Sequence, residues 1–315
     1  MNDIAADFRQ AIAAAPPSLP QHLAELESEA IAILRITAAE TRNPVLLYSA
    51  GKDSTVLLHL AQRAFHPAPI PFAMLHIDTG WKFPVMLAFR DAEAARVGIR
   101  LVVHTNPDGA AQAINPFDHA DSYTHIMKTL ALRQALAAGG HDAAIGGARR
   151  DEERSRAKER IFSRRGATGG WDPRQQRPEF GLLANLRLSP GESLRVFPLS
   201  NWSERDVWEY VLARNLLVAP LYFAAERPVV ERGGHLIVAA DARMRLLPGE
   251  IPRMRMVRFR TLGCYPLTAA HFSTAVDLPA VVAEILGTRL SERAGRLIDH
   301  GTADTMEHKK REGYF

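Results

Sequence analysis

Cysteine is almost absent from this chain, because Cys264 is the only one. A single thiol excludes an internal disulfide and any metal site built from several cysteines. No stretch approaches the ~18 consecutive apolar residues of a membrane span. The first residues lack the basic-then-apolar layout of a signal peptide. We therefore expect a soluble cytoplasmic protein that has no membrane partner.

The composition supports a sizeable core. The chain has 315 residues, of which 47% are hydrophobic, enough for one large α/β domain with an extension or for two domains. The net charge of +4 is mild, but arginines cluster at 149–165 and again at 253–260. Such clusters suit anionic small molecules or nucleic acid, although most charged runs are simply solvated surface.

The segment 48–54 reads Tyr-Ser-Ala-Gly-Lys-Asp-Ser and directly follows the apolar run 45–47. A helical pattern at 55–65 comes next, so the pattern predicts a strand, a loop of small residues and a helix. Such a loop points backbone N–H groups at a phosphate, and the helix dipole favours the anion. Gly51 permits close approach, Lys52 adds charge, and the nearby serines add hydroxyl donors.

This loop lacks the Walker A pattern. That pattern requires a glycine five positions before the Gly-Lys pair, where this chain has Leu46. At position 50, an alanine is compatible with the loop if its φ is negative and strained if its φ is positive. The loop therefore predicts phosphate binding of a kind that differs from common kinases and GTPases.

Predicted strands and helices alternate along most of the chain, which is typical of a parallel sheet with right-handed crossovers. The strands are expected at 45–48, 71–77, 100–104, 143–145 and 194–199, and the helices at 22–42, 55–65, 83–97, 123–138 and 204–214. Gly, Pro and Arg predict a long loop or lid at 162–190, and a hairpin is expected at 228–240. We divide the chain into an α/β domain, 1–220, and an extension, 221–315.

Three polar segments follow predicted strands: the loop 48–54, the segment around Asp78, and Arg149 with Arg150. Ligands of such sheets bind at the carboxyl ends of strands. Simpler interpretations exist, because Asp78 also suits a helix cap and Arg149 with Arg150 also suits surface ion pairs. The segment 253–260 also suits an edge strand with one wet face. We interpret Cys264 as a small buried hydrophobe, and the histidines at 76, 104 and 125 as structural.

Seven stretches together resemble the sulfate adenylyltransferase small subunits, a branch of the phosphoadenylyl-sulfate reductase-like family of N-type ATP pyrophosphatases. The matching stretches are 48–54, Leu-His-Ile-Asp-Thr-Gly-Trp-Lys-Phe (75–83), Gly-Gly-Ala-Arg-Arg-Asp-Glu-Glu (146–153), Ser-Arg-Ala-Lys-Glu-Arg (155–160), Arg-Val-Phe-Pro-Leu-Ser-Asn-Trp (195–202), Met-Val-Arg-Phe-Arg-Thr-Leu-Gly-Cys (256–264) and Lys-Lys-Arg-Glu-Gly-Tyr-Phe (309–315). The resemblance implies a Rossmann-like parallel sheet flanked by helices, of the adenine nucleotide alpha-hydrolase type, with a C-terminal extension.

The resemblance also implies a reaction, in which ATP and sulfate give adenylyl sulfate and diphosphate as the first step of sulfate assimilation. It implies ATP as substrate, Mg²⁺, no organic redox cofactor and a heteromer with a large GTPase subunit that drives the reaction; no nucleic-acid partner is expected. The implied nucleotide-binding residues are Ser49, Ala50, Gly51, Lys52, Asp53, Ser54, His76, Asp78, Thr79 and Gly80. Asp53 and Asp78 are the candidate Mg²⁺ ligands. The candidate catalytic residues are Lys52, Arg149, Arg150, Arg258 and Arg260.

Competing functions remain open at this point. The reductase branch uses a cysteine near the C-terminus, and this chain ends without one, which argues against that branch. A tRNA-modifying ATP pyrophosphatase would fit the arginine clusters, but many such enzymes carry cysteine pairs that are missing here. A nucleotide-binding scaffold subunit without its own activity is the third alternative. For the extension after Pro220, with its basic and aromatic tail 306–315, we predict a partner-docking role.

Overall fold

The computed structural model describes residues 19–152, 156–167, 169–179 and 186–287. Its main sheet has six strands in the spatial order β3-β2-β1-β4-β6-β5. The strands are β1 (Pro44–Leu47), β2 (Ala73–Ile77), β3 (Leu101–His104), β4 (Ala143–Ile145), β5 (Phe162–Arg165) and β6 (Ser193–Val196). The tail 306–315 lies outside the described residues, so its predicted docking role stays a prediction.

Strand β1 lies at the centre of the sheet and pairs in parallel with β2 on one side and β4 on the other. The chain order of the strands reverses between β1 and β4, which makes this the topological switch point where such sheets bind ligands. The expectation of a parallel sheet flanked by helices is confirmed. Strand β5 is the exception, because it pairs antiparallel with β6 at the edge.

Strand β5 corrects the prediction of a continuous loop over 162–190. Phe162, Ser163 and Arg165 are buried, although the Gly, Pro and Arg content of the segment pointed to a surface loop. Without β5, the outer edge of β6 would present unpaired backbone N–H and C=O groups. That demand comes from the sheet and is invisible in the local sequence.

The helices are α1 (Gln21–Glu40), α2 (Lys52–Phe65), α3 (Pro84–Val97), α4 (Pro107–Ala111), α5 (Ala120–Thr124), α6 (Ala131–Gly139), α7 (Glu204–Ala213) and α8 (Leu278–Gly287). Helix α2 begins three residues earlier than predicted. A capping box starts α7, with Ser203 and Asp206 bonding each other's backbone N–H. The single helix predicted at 123–138 is interrupted by a π-helical stretch, His125–Leu130, between α5 and α6.

Helices cover both faces of the main sheet. On one face, α1, α2 and α7 enclose the largest core cluster, which includes Leu34, Leu57 and Trp208. On the other face, Leu132 and Leu136 of α6 pack against apolar side chains of β1, β2 and β4. No helix in the described part of the chain is long and apolar enough to cross a membrane.

A second, antiparallel sheet follows the α/β unit, with the order β10-β9-β7-β8. Its strands are β7 (Ala225–Arg232), β8 (His235–Val238), β9 (Arg253–Arg258) and β10 (His271–Phe272). The predicted hairpin is confirmed, and both of its turn glycines, Gly233 and Gly234, have positive φ as a tight hairpin turn requires. The edge-strand interpretation of 253–260 is wrong, because β9 lies between β7 and β10.

Candidate nucleotide and anion site

A cavity opens at the carboxyl ends of β1, β2 and β4, beside the switch point. The main sheet, the π-helical stretch and the C-terminal extension all contribute to its wall. Its lining includes Tyr48, Ser49, Asp53, Ser54, His76, Thr79, Lys82, Tyr123, Lys128, Gly146, Gly147, Glu152, Arg156, Gly263, Cys264 and Thr268. The expected convergence of strand ends is therefore present, and the extension closes the site as well.

The loop between β1 and α2 is held by hydrogen bonds among its own small residues. The Ser49 and Ser54 hydroxyl oxygens lie 3.2 Å apart, and Ser54 Oγ donates to the Gly51 carbonyl at 2.9 Å. The Lys52 backbone N–H donates to Tyr222 Oη at 2.8 Å, so a residue far along the chain uses this amide. The two serine side chains remain on the cavity wall.

Ala50 adopts the left-handed conformation, with φ of 61°, and is fully buried. This is the case that we expected to be strained, because the Cβ of an L-residue approaches the following carbonyl there. Backbone strain of this kind persists only where the surroundings hold it, and it often lies at functional sites. Its position inside the predicted phosphate loop fits that pattern.

Asp53 lies between two buried cations at the start of α2. Its carboxylate accepts from Lys52 Nζ at 2.9 Å and from Arg149 Nε at 2.7 Å. Burial alone would raise the pKa of Asp53, but the charges of Lys52 and Arg149 hold it below its usual value. The three predicted site residues are thus brought together, and Lys52 and Arg149 act on the loop through Asp53.

Gly147 explains how this cluster packs so closely. A Cβ added at Gly147 would lie 3.1 Å from the backbone carbon of Asp53 and 3.1 Å from its Cβ. Such contacts are tighter than a packed interior accepts without moving one of the partners. The sequence shows Gly147 only as part of the stretch 146–153, whereas its structural role is to admit the start of α2.

His76 lines the cavity and is neutral at physiological pH. Burial, with a further contribution from the charge of Lys82, lowers the pKa of His76 to about 4. Its Nδ1 lies 2.8 Å from the Tyr48 carbonyl oxygen, which can only accept, so Nδ1 carries the proton. The ring joins β2 to the start of the predicted phosphate loop, in line with the structural interpretation.

In the segment after β2, some residues form a turn and others line the cavity. Asp78 Oδ1 accepts from the Gly80 backbone N–H at 2.8 Å and thereby stabilises the turn, while Gly80 has a φ of 74°. Thr79, next to them, is buried and lines the cavity. Of this predicted group, His76 and Thr79 reach the cavity, and Asp78 and Gly80 shape the loop that presents them.

The structure does not bring Arg150, Arg258 or Arg260 to the cavity. Arg150 bonds Asn201 at 2.6 Å and Glu179 at 2.9 Å instead. Arg258 is buried against Glu284 at 2.5 Å, and Arg260 bonds Glu204 at 2.7 Å. The Arg258 pair joins β9 to α8, and the Arg260 pair joins the segment after β9 to α7. In this structure the second arginine cluster therefore connects elements of the fold.

The expectation that Asp53 and Asp78 ligate Mg²⁺ stays a prediction. Both oxygens of Asp53 are engaged by cations, and Asp78 is absent from the cavity wall. Among the described residues, the cluster with metal-ligand spacing is His22, Asp206 and Glu209, which joins α1 to α7 outside the cavity. Exposed groups of this kind are common without a metal, so the cluster supports no assignment.

Several cavity residues were missed in the sequence. The cavity is also lined by three cationic side chains, Lys82, Lys128 and Arg156, and by the Cys264 region of the extension. Lys82 follows β2 within the stretch 75–83, so its place after a strand end was an available signal. Lys128 had no signal, because the π-helical turn that carries it is not apparent from the spacing of apolar residues.

A parallel sheet with a switch point, and a small-residue loop opening into a cation-lined cavity there, define a nucleotide-binding protein of the α/β class. The profile of the phosphoadenosine phosphosulfate reductase domain matches residues 43–270. The chain is also 63% identical over 295 residues to sulfate adenylyltransferase subunit 2 of Myxococcus xanthus (strain DK1622), covering 93% of this chain and 97% of that protein. The chain belongs to the sulfate adenylyltransferase subunit 2 family.

A second curated relative carries the same name. The protein of the same name from Bradyrhizobium sp. (strain BTAi1 / ATCC BAA-1182) is 63% identical over 300 residues, covering 95% of this chain and 93% of that one. Among solved structures, the phosphate complex of phosphoadenylyl-sulfate reductase from Candida auris has a TM-score of 0.45 and 16% identity, covering 66% of this chain and 93% of that chain.

Proposed function

We propose that this chain transfers the adenylyl group of ATP to sulfate, giving adenylyl sulfate and diphosphate. The observation that carries the proposal is the 63% identity, over nearly the whole chain, to proteins named sulfate adenylyltransferase subunit 2. The cavity at the switch point supports it, because ATP and sulfate are both anions and cationic side chains line the wall.

The reaction needs positioning and charge neutralisation more than covalent help. A sulfate oxygen attacks the α-phosphorus, a new S–O–P bridge forms, the bond from the α-phosphorus to the bridging oxygen breaks, and diphosphate leaves with that electron pair. Negative charge concentrates between the three anionic groups in the transition state, where preorganised donors are most effective.

The phosphate loop supplies the first group of donors. In the proposal, the hydroxyls of Ser49 and Ser54 and the N-terminus of α2 bind the β- and γ-phosphates. Lys52 and Arg149 hold Asp53, and thereby keep the loop in its strained form. Arg156 and Lys128, from other parts of the wall, contribute positive charge to the same cavity.

Mg²⁺ stays a prediction based on the resemblance, and no step of the proposed reaction depends on it here. The same is true of the cytoplasmic location and of the division of the chain at residue 220. Ring contacts of 5.0 Å between Phe83 and Phe259 and 5.3 Å between Phe83 and Tyr265 join the two parts of the chain. The extension therefore belongs to the working site, whatever else it binds.

The name of the relatives implies a partner subunit. We propose that this partner is a large GTPase subunit and that it docks on the extension. Most exposed large apolar side chains among the described residues lie between positions 246 and 276, including Ile251, Met254 and Phe272. Apolar side chains gathered in one region of a surface often mark a protein contact.

The test is diphosphate release from ATP by the purified chain with its partner, measured with and without sulfate. We expect release to depend on sulfate and adenylyl sulfate to accumulate in equal amount. Release that is the same without sulfate, or none in any condition, contradicts the proposal and favours a nucleotide-binding scaffold subunit.

A further inference from the structure

The cavity contains a second group of polar side chains, apart from the phosphate loop. Thr79, Lys82 and Cys264 are contributed by the segment after β2 and by the extension, and we call them the thiol wall. Thr79 Oγ1 lies 3.3 Å from Cys264 Sγ. All three side chains line the cavity, so a ligand of the cavity has access to this wall.

Lys82 is the unexplained member of the thiol wall. It is 9% exposed, yet its ammonium group forms no ion pair or hydrogen bond with any residue that the structure describes. The ammonium nitrogen is not fully buried and belongs to a side chain on the cavity wall, where a bound anion would neutralise its charge. Lys52, the other buried lysine, is held by Asp53 and shows the ordinary solution.

The charge of Lys82 acts on the other groups of the wall. Burial would raise the pKa of the Cys264 thiol, but Lys82, the bond to Thr79 and the charge of Lys128 lower it overall. The same Lys82 charge contributes to lowering the pKa of His76. Lys82, Cys264 and His76 all line this one cavity.

The position of the wall is fixed by backbone and ring contacts. The Tyr265 backbone N–H donates to the Trp81 carbonyl at 2.7 Å, and the Tyr265 ring packs edge-on against Phe83. Trp81 and Phe83 are the chain neighbours of Lys82, and Tyr265 directly follows Cys264. The contacts of Tyr265 therefore hold the two segments of the wall together. The wall is therefore preorganised, as an anion subsite must be.

We propose that the thiol wall is the subsite for the attacking sulfate, with Lys82 as its principal charge and the thiol of Cys264, which is hydrogen-bonded to the Thr79 hydroxyl, as a donor. This inference rests on the proposed function, because it assigns one of the two substrates of that reaction. The phosphate loop then holds the nucleotide, and the two anions approach from different segments of the chain.

The kinetic test compares Lys82→Gln with Lys82→Arg and with Lys158→Gln, a control at an exposed lysine. With the partner present, Lys82→Gln is expected to raise KM for sulfate about tenfold or more, the size of a lost charge-assisted bond. KM for ATP is expected to stay within about twofold. Lys82→Arg restores part of the loss, and Lys158→Gln behaves like the wild type.

A second readout uses the single cysteine and does not depend on turnover. Alkylation of Cys264 by iodoacetamide is followed by mass spectrometry in sulfate, in chloride of equal ionic strength, and with a non-hydrolysable ATP analogue. Sulfate is expected to slow alkylation of the wild type several-fold and to have no effect on Lys82→Gln. The pH profile of alkylation is expected to shift upward in Lys82→Gln.

The possible outcomes distinguish an error in the sulfate-subsite assignment from an error in the proposed adenylyl-transfer function. An unchanged KM for sulfate in folded Lys82→Gln overturns the subsite while sulfate-dependent diphosphate release stands. Protection by the nucleotide alone, with a raised KM for ATP, assigns the wall to a phosphate group and overturns the sulfate assignment. Wild-type diphosphate release without sulfate dependence contradicts the function itself, and alkylation then decides alone whether the wall binds the anion. If Cys264 resists alkylation in every condition, the kinetic comparison decides.

Discussion

The backbone angle φ of Ala50 decides whether this alanine is strained in the loop, and the sequence alone does not give that angle. The sequence predicts a phosphate loop at 48–54, and only the φ of 61° shows that its alanine is strained. The left-handed conformation costs an L-residue roughly 1–2 kcal/mol. Burial of the methyl group stabilises the folded state by about 0.8 kcal/mol, which offsets part of this strain.

These magnitudes predict different outcomes for two substitutions. Ala50→Gly relieves the strain but loses the methyl group and loosens the unfolded chain, so the free energy of unfolding is expected to change by less than about 1 kcal/mol. Ala50→Val adds a branched side chain to a left-handed, fully packed position and is expected to cost about 2 kcal/mol or more. Urea unfolding measures both. If valine were tolerated as well as glycine, the left-handed assignment would be contradicted.

The sequence motifs predicted several residues of the cavity wall, but they did not predict which side chains each residue would contact. Ser49, Asp53 and Thr79 were predicted from motifs next to strand ends, and they line the cavity. Arg258 belongs to a motif of the same resemblance and instead pairs with Glu284. A motif marks a residue that a family uses, but whether the use is chemical or structural depends on contacts between distant segments.

At the scale of elements, Glu27 of α1 joins three helices. It accepts from Tyr210 Oη of α7 at 2.6 Å and from Arg214, directly after α7, at 2.8 Å, and it pairs with Arg63 of α2 at 2.8 Å. Burial alone would raise the pKa of Glu27, but these bonds and charges lower it. A lowered pKa means that the ionised form stabilises the folded state.

Glu27→Gln is expected to lower the free energy of unfolding by about 1–3 kcal/mol at neutral pH, because buried charged hydrogen bonds are lost. The contribution is fully present above the ordinary carboxyl pKa of 4.5 and disappears as the pH falls through the lower folded-state value. The difference between wild type and variant should therefore shrink in acid. Denaturation at several pH values tests this, with exposed Glu25→Gln as the control. A pH-independent difference would exclude the ionic explanation.

The elements that carry apolar periodicity were predictable within a few residues, as for α1, α3 and the hairpin of β7 and β8. Strand β5 and the π-helical stretch were not, for a common physical reason. Strand β5 exists because the edge of β6 needs a partner, and the π-helical stretch carries Lys128 on the cavity wall. Both are set by tertiary neighbours, which override local propensity.

At the scale of the whole molecule, the extension has two roles in this account. Gly263, Cys264 and Thr268 line the cavity, while the exposed apolar side chains at 246–276 are available to a partner. A partner bound there would be in direct contact with the segment that closes the site. Binding of the proposed GTPase subunit could therefore change the position of the residues that line the cavity.

Adenylyl sulfate formation from ATP and sulfate is thermodynamically uphill, which is the reason to expect coupling to a second nucleotide. We predict that adenylyl sulfate formation by this chain rises with the large subunit and rises further with GTP. Ile251→Ser and Phe272→Ser should weaken association, and Leu212→Ser, at an exposed apolar site outside the extension, is the control. Full activity of the isolated chain, unchanged by partner and GTP, would falsify the coupling.

The most direct measurement is an experimental structure with a non-hydrolysable ATP analogue and sulfate bound. We expect the phosphates to lie against Ser49 and Ser54, and the sulfate to lie against Lys82 and Cys264, in line with the α-phosphorus. A nucleotide or a sulfate bound instead beside Arg258 and Arg260, with the cavity at the switch point empty, would contradict it.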